Sequence, residues 1–394
     1  MTAHNGPSSR AENDNPWQQS PVFIGTTKFT RVPTINNILI TGGAGFIASW
    51  LVRHLALQYP DYNVICFDKL DYCASFNNIA YVNANCRNFK FVKGDITNPG
   101  EVEVVLREQK IDTIMHLAAM SHVDLSFGGD SYEFTSVNVY GTHVLLEAAK
   151  TYGKITRFIH VSTDEVYGEV LEEDTDVLES AILAPTNPYA ATKAAADMLV
   201  NAYYRSFKLP VIIVRCNNVY GPHQFPEKII PKFICLLAGS RKCLIHGDGS
   251  NSRRYLFAGD AVDALDTILH KGIIGQIYNI GTTDEVSNRE LCVLLLMEFG
   301  YGEGEFDQHV EYTNDRPFND RRYAIDASRL KSLGWSQKTR FEVGISRTIA
   351  WYRQFGSLWW GDISDILTAF PTSRHIHYRA VMDGNPTHND VALL

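Results

Sequence analysis

From residue 37 to 220, short apolar runs alternate with longer stretches of helical period. The runs are Asn37-Ile38-Leu39-Ile40, Asn63-Val64-Ile65-Cys66-Phe67, Phe89-Lys90-Phe91-Val92, Asp112-Thr113-Ile114-Met115-His116 and Phe158-Ile159-His160-Val161. Each has strand length, and near-continuous apolarity marks strands buried on both faces. Between them lie helical stretches such as Ser49 to Gln58 and Ser131 to Tyr152. The second carries Val137, Tyr140, Val144, Leu145 and Ala148 on one stripe. Such alternation predicts an α/β fold, a doubly wound parallel sheet with helices on both faces. Right-handed crossovers then bring the strands' carboxyl ends to one edge, where ligands collect.

Beyond Tyr220-Gly221-Pro222 the pattern is less regular and richer in Pro and Gly. We divide the chain into a disordered arm (1–33), a nucleotide-binding domain (35–220), a smaller discontinuous domain over the substrate (221–253 and 284–372) and a polar tail (373–394). The helical stretch Asp260 to His270 and the strand-like Gln276-Ile277-Tyr278-Asn279-Ile280 return to the first domain, about 254–283. Trp17 and Val22-Phe23-Ile24 could tack part of the arm onto the surface.

Composition narrows the class without changing the fold. The 394 residues are 45% hydrophobic and 20% charged, an ordinary globular balance. A formal net charge of −8 argues against a nucleic-acid or anionic-membrane binder, though a local Arg cluster still admits an anionic small substrate. Seven scattered cysteines without a Cys-x-x-Cys pair fit reduced thiols. Neither a leader pattern nor a membrane-length apolar run is visible, so the expected location is cytoplasmic. The His and Cys spacing suits no metal, and none is expected.

The first apolar run enters Thr41-Gly42-Gly43-Ala44-Gly45-Phe46-Ile47-Ala48. Gly42, Gly45 and Ala48 occupy the small-residue positions of a dinucleotide fingerprint, with a helix N-terminus facing the phosphates. Alone this spacing is weak. The second run strengthens it by ending at Asp68, where a carboxylate would accept from ribose hydroxyls and repel a 2′-phosphate, favouring NAD over NADP. Asp95, after the third run, is either an adenine contact or a loop or cap aspartate. The fourth run continues into Leu117, Ala118 and Ala119, the alanines small enough to let a cofactor cross the sheet edge. His122, alone in a loop, reads as structural or solvated.

The chemistry concentrates between Arg157 and Lys193. Tyr189 and Lys193 stand four residues apart, on one helix face. A tyrosine, with an ordinary pKa near 10, acts as a base near neutrality only beside a positive charge, which Lys193 supplies. Ser162 or Thr163 offers a hydroxyl to the same substrate oxygen. Asp164 and Glu165 add two carboxyls, one able to stay protonated as an acid while the other serves as base. Elimination of water needs such a pair; alcohol oxidation does not. Against this stand an incidental Tyr and Lys on an amphipathic helix, and two solvated acids at a strand exit.

Together these segments resemble the nucleotide-diphosphate-glucose 4,6-dehydratases of the extended short-chain dehydrogenase/reductase superfamily. The resemblance runs over about 36–372 and rests on Thr41 to Ile47, Asp68-Lys69-Leu70-Asp71-Tyr72, Ser121-His122-Val123-Asp124, Ser162 to Gly168 and Tyr189-x-x-x-Lys193. It continues through Asn218-Val219-Tyr220-Gly221-Pro222, Phe225-Pro226-Glu227-Lys228, Gly247-Asp248-Gly249 and Asp315-Arg316-Pro317. It implies a Rossmann-like fold and a homodimer through the helices near 131–152 and 186–207. It further implies NAD held by Gly42, Gly45, Phe46, Ile47, Asp68, Lys69, Asp95, Ile96, Leu117, Ala118, Ala119, Ser121, Tyr189 and Lys193.

The implied reaction oxidises carbon 4 of the sugar with Tyr189 as base. Glu165 then removes the carbon 5 proton while Asp164 protonates the carbon 6 hydroxyl, and carbon 6 is finally reduced. Substrate contacts fall to Ser121, Thr163, Asn218, Lys228, Arg253, Asn279, Arg316 and Asn319. Without the resemblance, Arg253-Arg254 and Arg321-Arg322 would read as surface charge. Asn319 stands where bacterial dTDP-glucose relatives tend to carry His, and Asp71-Tyr72-Cys73 also differs from their pattern. Both features look more like eukaryotic relatives, including the dehydratase part of plant UDP-rhamnose synthases, which leaves UDP or dTDP open. A nucleotide-sugar 4-epimerase would share all but the Asp164–Glu165 requirement. A silent NAD-binding regulatory protein is the non-enzymatic alternative.

Overall fold

The computed structural model describes residues 28–128, 131–171 and 173–370. The tail at 373–394 and the first 27 residues of the arm, with Trp17 and Val22-Phe23-Ile24, lie outside them. The last residues of the arm do not behave as an arm. The Phe29 N–H donates to the Tyr59 hydroxyl at 3.0 Å, and the Val32 N–H to the Tyr62 hydroxyl at 3.1 Å. Those two acceptors sit 30 residues further on, so the polar local composition gives no sign of the docking.

Seven strands form one parallel sheet: β1 (Asn37–Thr41), β2 (Asn63–Asp68), β3 (Phe89–Lys93), β4 (Thr113–His116), β5 (Arg157–Thr163), β6 (Val211–Cys216) and, beyond β7 to β9, β10 (Ile277–Ile280). Their spatial order is β10-β6-β5-β4-β1-β2-β3. Ile38, Leu39 and Ile40 of β1 are fully buried, because helices cover both faces. The Phe46–Gln58 and Ala258–Lys271 helices share the apolar cluster on one side. The Pro99–Glu108, Thr142–Tyr152 and Pro188–Phe207 helices contribute to the cluster on the other. The strand order reverses between β1 and β4, the place where an open α/β sheet forms its crevice.

A three-stranded sheet, β11-β9-β7, is made of Glu285–Ser287, Ser252–Phe257 and Asn218–Tyr220. β8 (Cys243–His246) pairs with β12 (Val310–Thr313). Around these the Ile229–Ala238, Asn288–Glu298 and Phe341–Trp360 helices bury a third cluster containing Phe233, Leu295 and Trp351. Among the described residues no helix is long and apolar enough to cross a membrane.

β5 runs further than its apolar core. Ser162 and Thr163 continue the ladder opposite Arg215 and Cys216 of β6. Polarity ends the hydrophobic run at Val161, yet pairing with a neighbouring strand holds the next two residues extended and aims them at the carboxyl edge.

Candidate functional site

A cleft opens over the switch point, and every residue expected to hold the dinucleotide lines it, from Gly42 and Gly45 to Tyr189 and Lys193. Gly42 sits at φ +69°, and a Cβ there would stand 2.8 Å from the Ala118 Cα and 2.9 Å from its nitrogen. Only glycine allows β1 to turn this close to the end of β4. Gly45 caps the Phe46–Gln58 helix without a side-chain partner, so the first N–H groups face the cleft for an anion. Gly43, which carries no weight in the sequence pattern, is equally constrained: a Cβ would reach Cys66 Sγ at 2.5 Å.

Asp68 accepts from the Ala44 N–H at 2.9 Å and the Leu70 N–H at 2.7 Å. Burial raises its pKa while these two bonds oppose the rise. Lys69 pairs with Asp71 at 2.8 Å. Asp95 accepts from the Thr97 N–H and hydroxyl at 2.8 and 2.9 Å, and it still borders the cleft. The cap of the following helix is Asn98. Small residues, a bare helix N-terminus and a strand-end carboxylate on one crevice fit a dinucleotide such as NAD.

At the inner end of this cleft β5 passes into a tight helical turn, Asp164–Tyr167, that carries both acids. Thr163 caps it, accepting from the Glu165 N–H at 3.3 Å and donating to Asp164 Oδ1 at 3.2 Å. Asp164, 2% exposed, lies behind the cleft wall, where Asn217 Nδ2 donates to its Oδ2 at 2.6 Å. Burial, then the Glu165 charge, push its pKa up to about 7 against the bonds from Asn217 and Thr163. Glu165 faces the cleft and accepts from Asn187 Nδ2 at 3.0 Å.

Asn187 is also the N-cap of the Pro188–Phe207 helix, accepting from the Ala190 N–H at 2.8 Å. Its position before a proline at N1 is a readable cap signal. The same helix presents Tyr189 and Lys193. Burial pushes the Lys193 pKa down to about 8, with Asp197 opposing, and its ammonium donates to the Val161 carbonyl at 2.7 Å. Tyr189 departs from the expectation of a lowered pKa. Burial and then Glu165 hold it well above its ordinary value, against a hydrogen bond with Thr163.

A second cleft adjoins the first and shares Tyr189 and Lys228 with it. Ser121, Thr163, Asn218, Lys228, Arg253, Arg316 and Asn319 line it, as expected of substrate contacts. Lys228 Nζ donates to the Ser121 carbonyl at 2.6 Å, and Arg316 Nε stands 2.5 Å from Asp124 Oδ1. Arg253 donates to the Asp320 carbonyl and to Asn319 Oδ1 at 2.9 and 3.1 Å. Its neighbour Arg254 is structural, pairing with Asp176 at 2.6 Å and Glu285 at 3.2 Å.

Asn279 corrects one expectation. It borders neither cleft, because its Oδ1 accepts from the Tyr167 hydroxyl at 2.8 Å and its Nδ2 donates to the Val177 and Asp326 carbonyls. Asn187, Asn217, Glu227 and Lys232 also line the second cleft, and the sequence pattern gives none of them a role there. Lys232, buried in the substrate cleft, has its pKa pushed down to about 8 by desolvation. His122 is buried there rather than solvated, and burial followed by Lys228 keeps it neutral. Among the described residues no group of three or more His, Cys, Asp or Glu is placed to hold a metal ion.

The GDP-mannose 4,6 dehydratase family matches residues 39–348. A trifunctional UDP-glucose 4,6-dehydratase/3,5-epimerase/reductase of Arabidopsis thaliana is 50% identical over 356 residues, covering 90% of this chain and 53% of the relative. The chain thus spans about half the length of that relative. The dTDP-D-glucose 4,6-dehydratase of Homo sapiens is 48% identical over 337 residues, 85% of this chain and 94% of the other. Among solved structures, the dTDP-glucose 4,6-dehydratase of Streptomyces venezuelae with NAD bound superimposes with a TM-score of 0.77 at 41% identity. It covers 82% of this chain and 98% of its own.

Proposed function

The chain belongs to the GDP-mannose 4,6 dehydratase family, and from that premise we propose that it dehydrates a nucleotide-diphosphate glucose to the 4-keto-6-deoxy sugar. Relatives named for UDP-glucose and for dTDP-glucose support both nucleotides as candidates. NAD, when bound along Gly42, Gly45, Asp68, Tyr189 and Lys193, supplies the acceptor for the hydrogen leaving carbon 4 and the donor for that reaching carbon 6.

Tyr189 takes the proton of the carbon 4 hydroxyl when the positive charges of Lys193 and of bound NAD offset the burial and the Glu165 charge that hold its phenol neutral, while Thr163 orients that oxygen. The ketone so formed acidifies carbon 5, whose proton Glu165 removes. Asp164, behind the cleft wall, gives its proton to the Thr163 hydroxyl that bonds it and lines the cleft, and Thr163 passes one to the carbon 6 hydroxyl, which leaves as water. Lys228, Arg253 and Arg316 hold the diphosphate by charge. The carrying observation is Asp164, a carboxyl buried beside Glu165 and bonded to Asn217; burial pushes its pKa up to about 7, so about half of the molecules still carry its proton at neutrality. A 4-epimerase, the nearest alternative, has no use for that acid. Incubation with UDP-glucose and dTDP-glucose, read by mass spectrometry, tests the reading. A product lighter by one water is expected, and an isomer of unchanged mass would refute it.

The assembly we infer is a homodimer. Tyr132 (85% exposed) and Met198 (62%) are large apolar side chains left in water on the neighbouring 131–152 and Pro188–Phe207 helices. The scattered free cysteines support a reducing, cytoplasmic setting.

A further inference from the structure

Between the two halves of the site lies a side chain that the proposed chemistry does not use. Asp197 stands one turn beyond Lys193 on the Pro188–Phe207 helix, and Tyr167 closes the turn that carries Asp164 and Glu165. Both are buried, and Arg215 of β6 binds both. Its Nε donates to Asp197 Oδ2 at 2.9 Å, and its Nη1 donates to the Tyr167 hydroxyl at 2.9 Å. The guanidinium carbon lies 4.8 Å from the centre of the Tyr167 ring.

The arrangement is anchored at both ends. Tyr167 donates to Asn279, which is fixed on the Val177 and Asp326 carbonyls. On the other side His160 of β5 brings Nε2 within 3.4 Å of Asp197 Oδ1. A guanidinium presents its donors in a rigid plane, so two partners bound to one fork keep a set separation. A lysine has the charge but not the fork.

We propose that Arg215 is a positioning residue that locks the Tyr189–Lys193 helix to the Asp164–Glu165 turn, so that oxidation and elimination meet the sugar in one pose. The inference rests on the dehydratase reading. It assigns no contact with substrate to Arg215. It explains instead why Asn279 is buried away from the cleft, as the footing of this clamp.

Two variants test it, Tyr167→Phe, which keeps the ring but removes one acceptor of the fork, and Arg215→Lys, which keeps the charge. Turnover of the nucleotide glucose is compared with that of the same substrate deuterated at carbon 5. A misplacement of about 1 Å costs about a hundredfold in rate, so the smaller shift expected here lowers kcat by about tenfold. That loss is expected at unchanged KM, with a carbon 5 isotope effect larger than the wild type's because elimination has become slower. Fewer folded molecules would scale kcat and leave the isotope effect where it was. An unchanged isotope effect in both variants, whatever their kcat, overturns the inference while the wild type still makes the dehydrated product. Failure of the wild type to make that product overturns the dehydratase reading itself.

Discussion

Glu165 and Asp164 are adjacent in sequence but occupy different surroundings, and the difference predicts different losses. Glu165→Gln keeps the shape that accepts from Asn187 and removes the base. A general base contributes about 10²- to 10⁴-fold, so kcat should fall by that factor while binding of the nucleotide sugar, measured by calorimetry, persists. Asp164 works protonated. Activity should therefore decline as pH rises through about 7, and the loss of the Lys193 ammonium near pH 8 steepens the decline. Stability follows the same sign. The folded pKa of Asp164 exceeds that of the unfolded chain, so its contribution is fully present below the ordinary carboxyl pKa. It is lost as pH rises through about 7. Asp164→Asn should consequently melt higher than the wild type at alkaline pH and lose that advantage in acid, as thermal denaturation would record.

Residue types and spacing single out Tyr189, Lys193, Asp164 and Glu165, and the fold gathers the first two and Glu165 along adjoining clefts, with Asp164 behind the wall. Asn217 is not legible, because it meets Asp164 from 53 positions away, and nothing local to either residue marks the encounter. The expectation for Asn279 fails for the same reason, since its partner Tyr167 lies 112 positions off.

Among the elements, the Pro188–Phe207 helix matters most, because one residue both starts it and holds the base. Asn187→Ala removes the cap and the donor to Glu165. The cap alone is worth ~1 kcal/mol. Asn187→Asp separates the two roles, keeping an oxygen for the Ala190 N–H while replacing the donor with a second negative charge. The aspartate variant is expected to unfold in denaturant near the wild-type midpoint yet turn over at least tenfold more slowly. If it fell with the alanine variant in stability and kept normal turnover, the bond to Glu165 would be irrelevant to rate. Strand and helix periods reveal these elements readily. The polar end of β5 is hidden, because only pairing with Arg215 and Cys216 makes Ser162 and Thr163 part of a strand.

At the scale of the molecule, strand–helix alternation discloses the parallel sheet and its ligand edge. Docking of Phe29 and Val32 onto two distant tyrosines cannot be read from a polar, aperiodic segment. The inferred dimer makes a direct prediction. Met198→Glu should place a charge in the shared face and shift the protein to a monomer in sedimentation velocity, whereas an unchanged species would locate the interface elsewhere.

Loss of water from the sugar separates this chemistry from epimerisation. Purified protein incubated with UDP-glucose and with dTDP-glucose, followed by mass spectrometry of the nucleotide sugars, tests it most directly. At least one of them should be converted to a species lighter by one water. Isomerisation at unchanged mass, or no turnover of either substrate, would contradict it.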